Sequence, residues 1–174
     1  MRYIDTLSNL QSKRKEELPF WELMKLIDWE ASGSFKATLP IETKLSKLED
    51  EFIFKFQDFL AEKLSDLDGP AYHGVAARGL SGSMDAFLYA RCYVIANGAN
   101  FYYHVLINPH DFPDEWFEGL LYTPERAYER KHGKDLERLP AKNYETGFNP
   151  DLWGEKHVAA KMAMFKAPSD NEAR

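Results

Sequence analysis

The chain has 174 residues, 44% apolar and 29% charged, with a net charge of −6 and a pI near 5.4. That length fits one domain, 1–174, able to bury roughly 70% of the surface its unfolded form exposes, so it needs no metal or disulfide to hold a core. The acidic balance argues against a nucleic-acid binder, and the single cysteine, Cys92, excludes an internal disulfide framework and any multi-cysteine zinc site.

No window approaches the ~18 consecutive apolar residues of a membrane span, and the first residues lack the basic-then-apolar layout of a secretory signal. A cytoplasmic protein without membrane association is expected.

In chain order the apolar residues recur at helical spacing. Ile4, Leu7 and Leu10 predict a short first helix. Pro19 is placed to open a second, in which Phe20, Leu23, Met24 and Ile27 form a buried stripe that Trp21 and Trp29 widen. Ala31 to Ser34 reads as a loop. Ser46-Lys47-Leu48-Glu49 matches a capping box for a long helix carrying Leu48, Phe52, Phe56, Phe59, Leu60, Leu64 and Leu67. Asp68-Gly69-Pro70 is expected to stop it, with Gly69 as a left-handed cap.

Ser83 can cap a further helix with Asp85 in its first turn. Met84, Phe87, Leu88, Cys92, Val94 and Ile95 cover a broad arc, which predicts the central, most buried helix, ended by Asn97-Gly98. Phe101, Tyr102, Val105 and Leu106 mark the next, closed by Asn108-Pro109. Trp116, Phe117, Leu120 and Leu121 start another, kinked or restarted at Thr123-Pro124 and running to His132-Gly133. Beyond Gly133, residues 134–174 read as an irregular covering segment, with Tyr144, Phe148 and Trp153 as anchors and a last amphipathic helix from His157 to Phe165 before a frayed end. No period-two pattern persists. The expected fold is all-α, a compact bundle of about six to seven helices.

Chemistry is sparsely marked. The histidines, His73, His104, His110, His132 and His157, lie in no paired metal-ligand spacing, so neither metal nor cofactor is expected. Ser81-Gly82-Ser83 is too short to cradle a phosphate, and Cys92 reads as a buried, inert thiol. Arg91 stands out: a guanidinium inside the most apolar helix must be paired. It reads as a buried ion pair with an acid from another helix, or as an anion contact at a pocket mouth, with Asp85 poorly placed to pair with it along the helix. Residues 42–68 hold eight acids and four bases, and residues 111–129 six acids and one base. Glu49, Asp50 and Glu51, and Asp114, Glu115 and Glu118, are the candidate faces for a basic partner.

The run from Ser83 to Gly98 resembles the signature of the bacterial family catalogued as domain of unknown function 4240, S-x-D-x-F-x-x-x-R-x-[WY]-[LV]-I-x-x-G, through Ser83, Asp85, Phe87, Arg91, Tyr93, Val94, Ile95 and Gly98. Phe20-Trp21-Glu22-Leu23 is similar to its F-W opening, Phe56 to its long-helix phenylalanine, and Asn108-Pro109 to its D-P. Many members carry two acids after the serine, where this chain has Met84-Asp85. The resemblance spans about residues 18–133 and implies a compact helical bacterial domain, with no activity or cofactor attached.

Two functions follow as expectations. One is a non-enzymatic partner-binding protein, such as an immunity protein neutralising a basic toxin. The alternative is an enzyme or small-ligand sensor with a pocket around Arg91, helped by Asp85, Tyr89 or a histidine.

Overall fold

A computed structural model describes residues 16–79 and 82–166. The helix expected over Ile4 to Leu10, Ser81 and the end from Pro168 lie outside these residues. Every regular element among the described residues is helical. They are α1 (residues 16–24), α2 (Ser34–Ala37), α3 (Leu39–Leu45), α4 (Asp50–Asp66), α5 (Pro70–Gly79), α6 (Met84–Ala96), α7 (Ala99–Ile107), α8 (Thr123–His132), α9 (Pro150–Trp153) and α10 (Glu155–Lys166). Two 3₁₀ turns, Pro109–Asp111 and Glu118–Leu120, interrupt the loops.

α6 is the axis of the bundle. Phe87, Leu88, Ala90, Cys92, Val94, Ile95 and Ala96 are all buried, so it is apolar almost all round, as a helix enclosed by others must be. Ser83 Oγ accepts from Ala86 N–H at its start, the predicted cap. Gly98, at φ +88°, makes the turn into α7. α4, in which Ile53, Phe56, Leu60 and Leu64 are buried, packs on α6, as do α5 and α7. α8 packs against α3 and α4. There the buried Glu42 accepts from Thr38 Oγ1 at 3.1 Å and sits 3.1 Å from Arg126 Nε. From α1, Phe20, Trp21 and Met24 enter the same core.

Several boundaries differ from expectation for local reasons. α1 already runs at residue 16, three residues ahead of the start expected at Pro19. The capping box does not form: α3 claims Ser46 as its C-cap, its hydroxyl donating back to Thr43 O, and α4 begins at Asp50 behind Glu49 without a side-chain cap bond. Gly69 is not left-handed; it is small because Leu152 of α9 would lie 3.1 Å from an added Cβ. Pro70 opens α5 rather than ending a helix, since a first-turn proline sacrifices no bonded N–H. Trp116 and Phe117 precede the helix they were expected to start. Thr123-Pro124 restarts the chain as α8, which Gly133 closes in the left-handed conformation at φ +67°.

Candidate functional site

Arg91 is fully buried on α6. Its Nη1 donates to Leu64 O at 2.8 Å and its Nη2 to Thr146 Oγ1 at 2.9 Å, with Nη1 4.0 Å from Asp68 Oδ1. Burial lowers its pKa to about 10, which leaves it charged at neutral pH. Asp68 follows α4 and is also buried. It accepts from the backbone N–H groups of Gly147, Phe148 and Asn149 at 2.8, 2.9 and 3.0 Å, and from Trp153 Nε1 at 3.1 Å. Asn149 Nδ2 donates to Ser65 O, and Thr146 Oγ1 to Met84 O. This network fastens residues 146–153 over the α4–α6 junction, and Trp153 is one of the anchors the sequence marks. Asp85 is exposed, and its carboxylate makes no ion pair with Arg91.

A second buried pair ties α1 to α4. Lys63 Nζ lies 2.7 Å from Glu17 Oε1, and the Tyr103 hydroxyl donates to Glu17 Oε2. Burial alone would raise the Glu17 pKa, but the bonds from Lys63 and Tyr103 outweigh it and hold the carboxyl below its ordinary range.

The six candidate acids are not equivalent. Asp50 is 2.6 Å from Lys131 Nζ and 2.9 Å from His132 Nε2, and Glu51 is 2.7 Å from Lys55 Nζ. Of that triad only Glu49 has no cation within 4.0 Å among the described residues. Asp114, Glu115 and Glu118 have none either among the described residues. Glu118 begins the 3₁₀ turn just before α8 and Asp114 lies against Gly79 at the end of α5, whereas Asp50 meets the last turn of α8, so the two triads sit on different elements.

Close to Glu118 of the second triad is a cavity of about 300 Å³. α6 supplies Asp85, Leu88 and Tyr89, which share one face at i, i+3 and i+4. The α8 side supplies Leu121, Tyr122 and Glu125, and the covering segment Tyr144 and Glu145. Asp85, Glu125 and Glu145 all lack a cation within 4.0 Å among the described residues. Glu125 Oε2 is buried without a hydrogen-bond partner, and burial raises that carboxyl's pKa. Burial, with Glu125 and Glu145 nearby, pushes Tyr144 up to about 12. The hydrogen bond with Tyr122 and burial raise Tyr89 as well. A site with three unpaired carboxylates and three phenolic rings attracts a cation: the acids supply charge and the rings supply π-faces.

The sequence names Asp85 and Tyr89 for chemistry around Arg91, whereas the fold directs them into this cavity on another face of α6. It counts Glu125 only within an acidic run. Tyr122 on one segment and Tyr144 and Glu145 on another carry no sequence signal that would group them with each other or with α6.

A larger groove of about 920 Å³ runs between α1, α4 and residues 141–142, lined by Phe20, Leu23, Leu48, Phe52, Phe56 and Phe59. Arg91 lines neither cavity. Cys92 is buried, which pushes its thiol up to about 12. No group of three or more His, Cys, Asp or Glu among the described residues is placed to hold a metal ion, and no helix there is long and apolar enough to cross a membrane. Neither the curated proteins nor the solved structures include a match to this chain. The motif around α6 and the helical core agree instead with one family model, matched over residues 16–144, and the chain belongs to that family, described as Protein of unknown function (DUF4240).

Proposed function

We propose that this protein is a non-enzymatic, partner-binding protein of the bacterial cytoplasm that recognises a basic protein, in the manner of an immunity protein neutralising a basic toxin. The observation that carries this reading is the set of uncompensated carboxylates in the cavity between α6 and α8 and on the segment leading to α8: Asp85, Asp114, Glu115, Glu118, Glu125 and Glu145, none with a cation within 4.0 Å among the described residues. Carboxylates already paired within a protein add little to its outward field, whereas unpaired ones steer an oppositely charged partner and help to fix its orientation. The acids at Asp50 and Glu51 are paired internally, so the 114–118 end is the favoured face.

The test is capture of partners on the immobilised protein from an extract of its source cells, at low and high salt. One stoichiometric basic protein is expected, lost at high salt and lost from the triple variant Asp114→Lys, Glu115→Lys, Glu118→Lys. A Glu49→Lys, Glu51→Lys variant should retain it. The reading fails if folded triple variant captures the same protein undiminished, or if no basic protein is recovered while a control bait retrieves its known partner. Neutralisation of the captured protein's toxicity would separate an immunity role from other partner binding.

A further inference from the structure

The surroundings of the acid–tyrosine cavity make it more specific than a negative patch. Tyr122, 38% exposed, lines the cavity and stacks on Phe35, with ring centroids 5.7 Å apart. Phe117 N–H donates to Tyr89 O at 3.0 Å, which fixes the 112–117 loop against the cavity's α6 wall. Phe117 in turn packs on Trp29 at 5.1 Å. Trp29 is 50% exposed and Trp116, next to Phe117, 64%. Tyr122 with Phe35, and Phe117 with Trp29, therefore form an aromatic shelf that adjoins the cavity through Tyr122 itself and through the backbone bond from Phe117 to Tyr89. Exposed tryptophan and tyrosine are the residue types that dominate binding energy at protein interfaces. The neighbouring cation, Arg126, is turned away to Glu42 at 3.1 Å and over the Phe35 ring, so it does not neutralise the cavity.

We infer that this cavity is the seat of one arginine side chain of the basic partner, with the aromatic shelf as the adjoining contact surface. The inference rests on the partner-binding reading above and names the recognition element within it. The cavity volume suits a single side chain rather than a peptide segment, since it lies at the lower limit of the range for ligand sites, about 300–1,000 Å³. A guanidinium fits the lining better than an ammonium. It is planar, stacks on phenol rings and offers paired N–H donors to carboxylates, and it is less strongly hydrated and so enters a half-buried site at lower cost. The unpartnered Glu125 Oε2 is the acceptor such a donor would satisfy.

The test titrates the full-length, isotope-labelled protein with L-argininamide, and in parallel with an oligoarginine and an oligolysine peptide of equal length, at low salt. Argininamide should shift the amide resonances of residues 85–89, 121–125 and 144–145. The double variant Glu125→Gln, Glu145→Gln should bind argininamide and oligoarginine at least about tenfold more weakly, a loss of about 1.4 kcal/mol, while its thermal melt shows it folded. Oligoarginine should bind more tightly than oligolysine. If the double variant binds oligoarginine as the wild type does, and the Asp114→Lys, Glu115→Lys, Glu118→Lys variant does not, the arginine seat is overturned and the acidic-face function stands. Equal binding of oligolysine, shifts scattered over the surface, or no shift at all also overturn the seat. The extract experiment judges the wider function independently.

Discussion

Replacing Asp68 with asparagine should undo the fastening of residues 146–153 and cost the protein about 3–5 kcal/mol, the range for breaking a buried charge pair from one side. The carboxylate accepts four bonds, from three consecutive backbone N–H groups and the Trp153 indole. An asparagine keeps one acceptor oxygen and turns an NH₂ donor toward groups that are themselves donors, so about half of these bonds are lost. Bonds to a charged acceptor contribute about 1.5–3 kcal/mol each. Asp68 is also the acid nearest the buried Arg91, at 4.0 Å, where two unit charges attract by about 4 kcal/mol at an effective dielectric of about 20. Relief from burying the carboxylate offsets part of this, which brings the sum to the stated range. The assay is urea denaturation combined with hydrogen exchange at the amides of Gly147, Phe148 and Asn149. Those three amides should lose protection before the α6 amides do. A stability loss under about 1 kcal/mol with unchanged protection at 147–149 would refute the reasoning.

Glu17→Gln should lower stability at neutral pH by leaving Lys63 buried beside a neutral partner. The Glu17 carboxyl titrates lower in the folded chain than its ordinary 4.5, so its contribution is present above that value and lost as pH falls through the folded one. The variant's denaturation midpoint should therefore vary less with pH over that acid range; equal slopes would count against the pair. Glu125→Gln should have the opposite sign. Its folded pKa is raised, so the cost of its buried charge is absent below 4.5 and present above the folded value. The thermal midpoint of the free variant should rise at neutral pH and stay unchanged near pH 4, and a fall at neutral pH would contradict an unpartnered carboxylate. Gly119→Ala should cost about 1–3 kcal/mol, since an added Cβ would lie 2.4 Å from Ser34 O and force the 118–120 turn off α2. A denaturation midpoint equal to that of wild type would show that the turn moves freely.

The residues that determine the core by themselves are those with a continuous apolar period. Phe87, Leu88, Val94 and Ile95 make α6 legible as the central helix, and Ser83 and Gly98 mark its limits, because caps and left-handed turns depend on the local residue. Phe56, Leu60 and Leu64 make α4 legible in the same way, though not its first residue: Ser46 can cap one helix or end another, and only the presence of α3 decides which. α2, α3, α5 and α9 are short or weakly patterned, and neighbouring helices fix them rather than their own propensity. The unusual residue Arg91 was visible in the sequence, but its surroundings were not. Its partners come from Leu64, Asp68 and Thr146, 55 residues away at the furthest. The acid–tyrosine cavity belongs wholly to the tertiary level. Composition set the net negative charge, but which carboxylates are neutralised by lysine and histidine and which face solvent unpaired depends on distances across the fold, and no spacing along the chain encodes those.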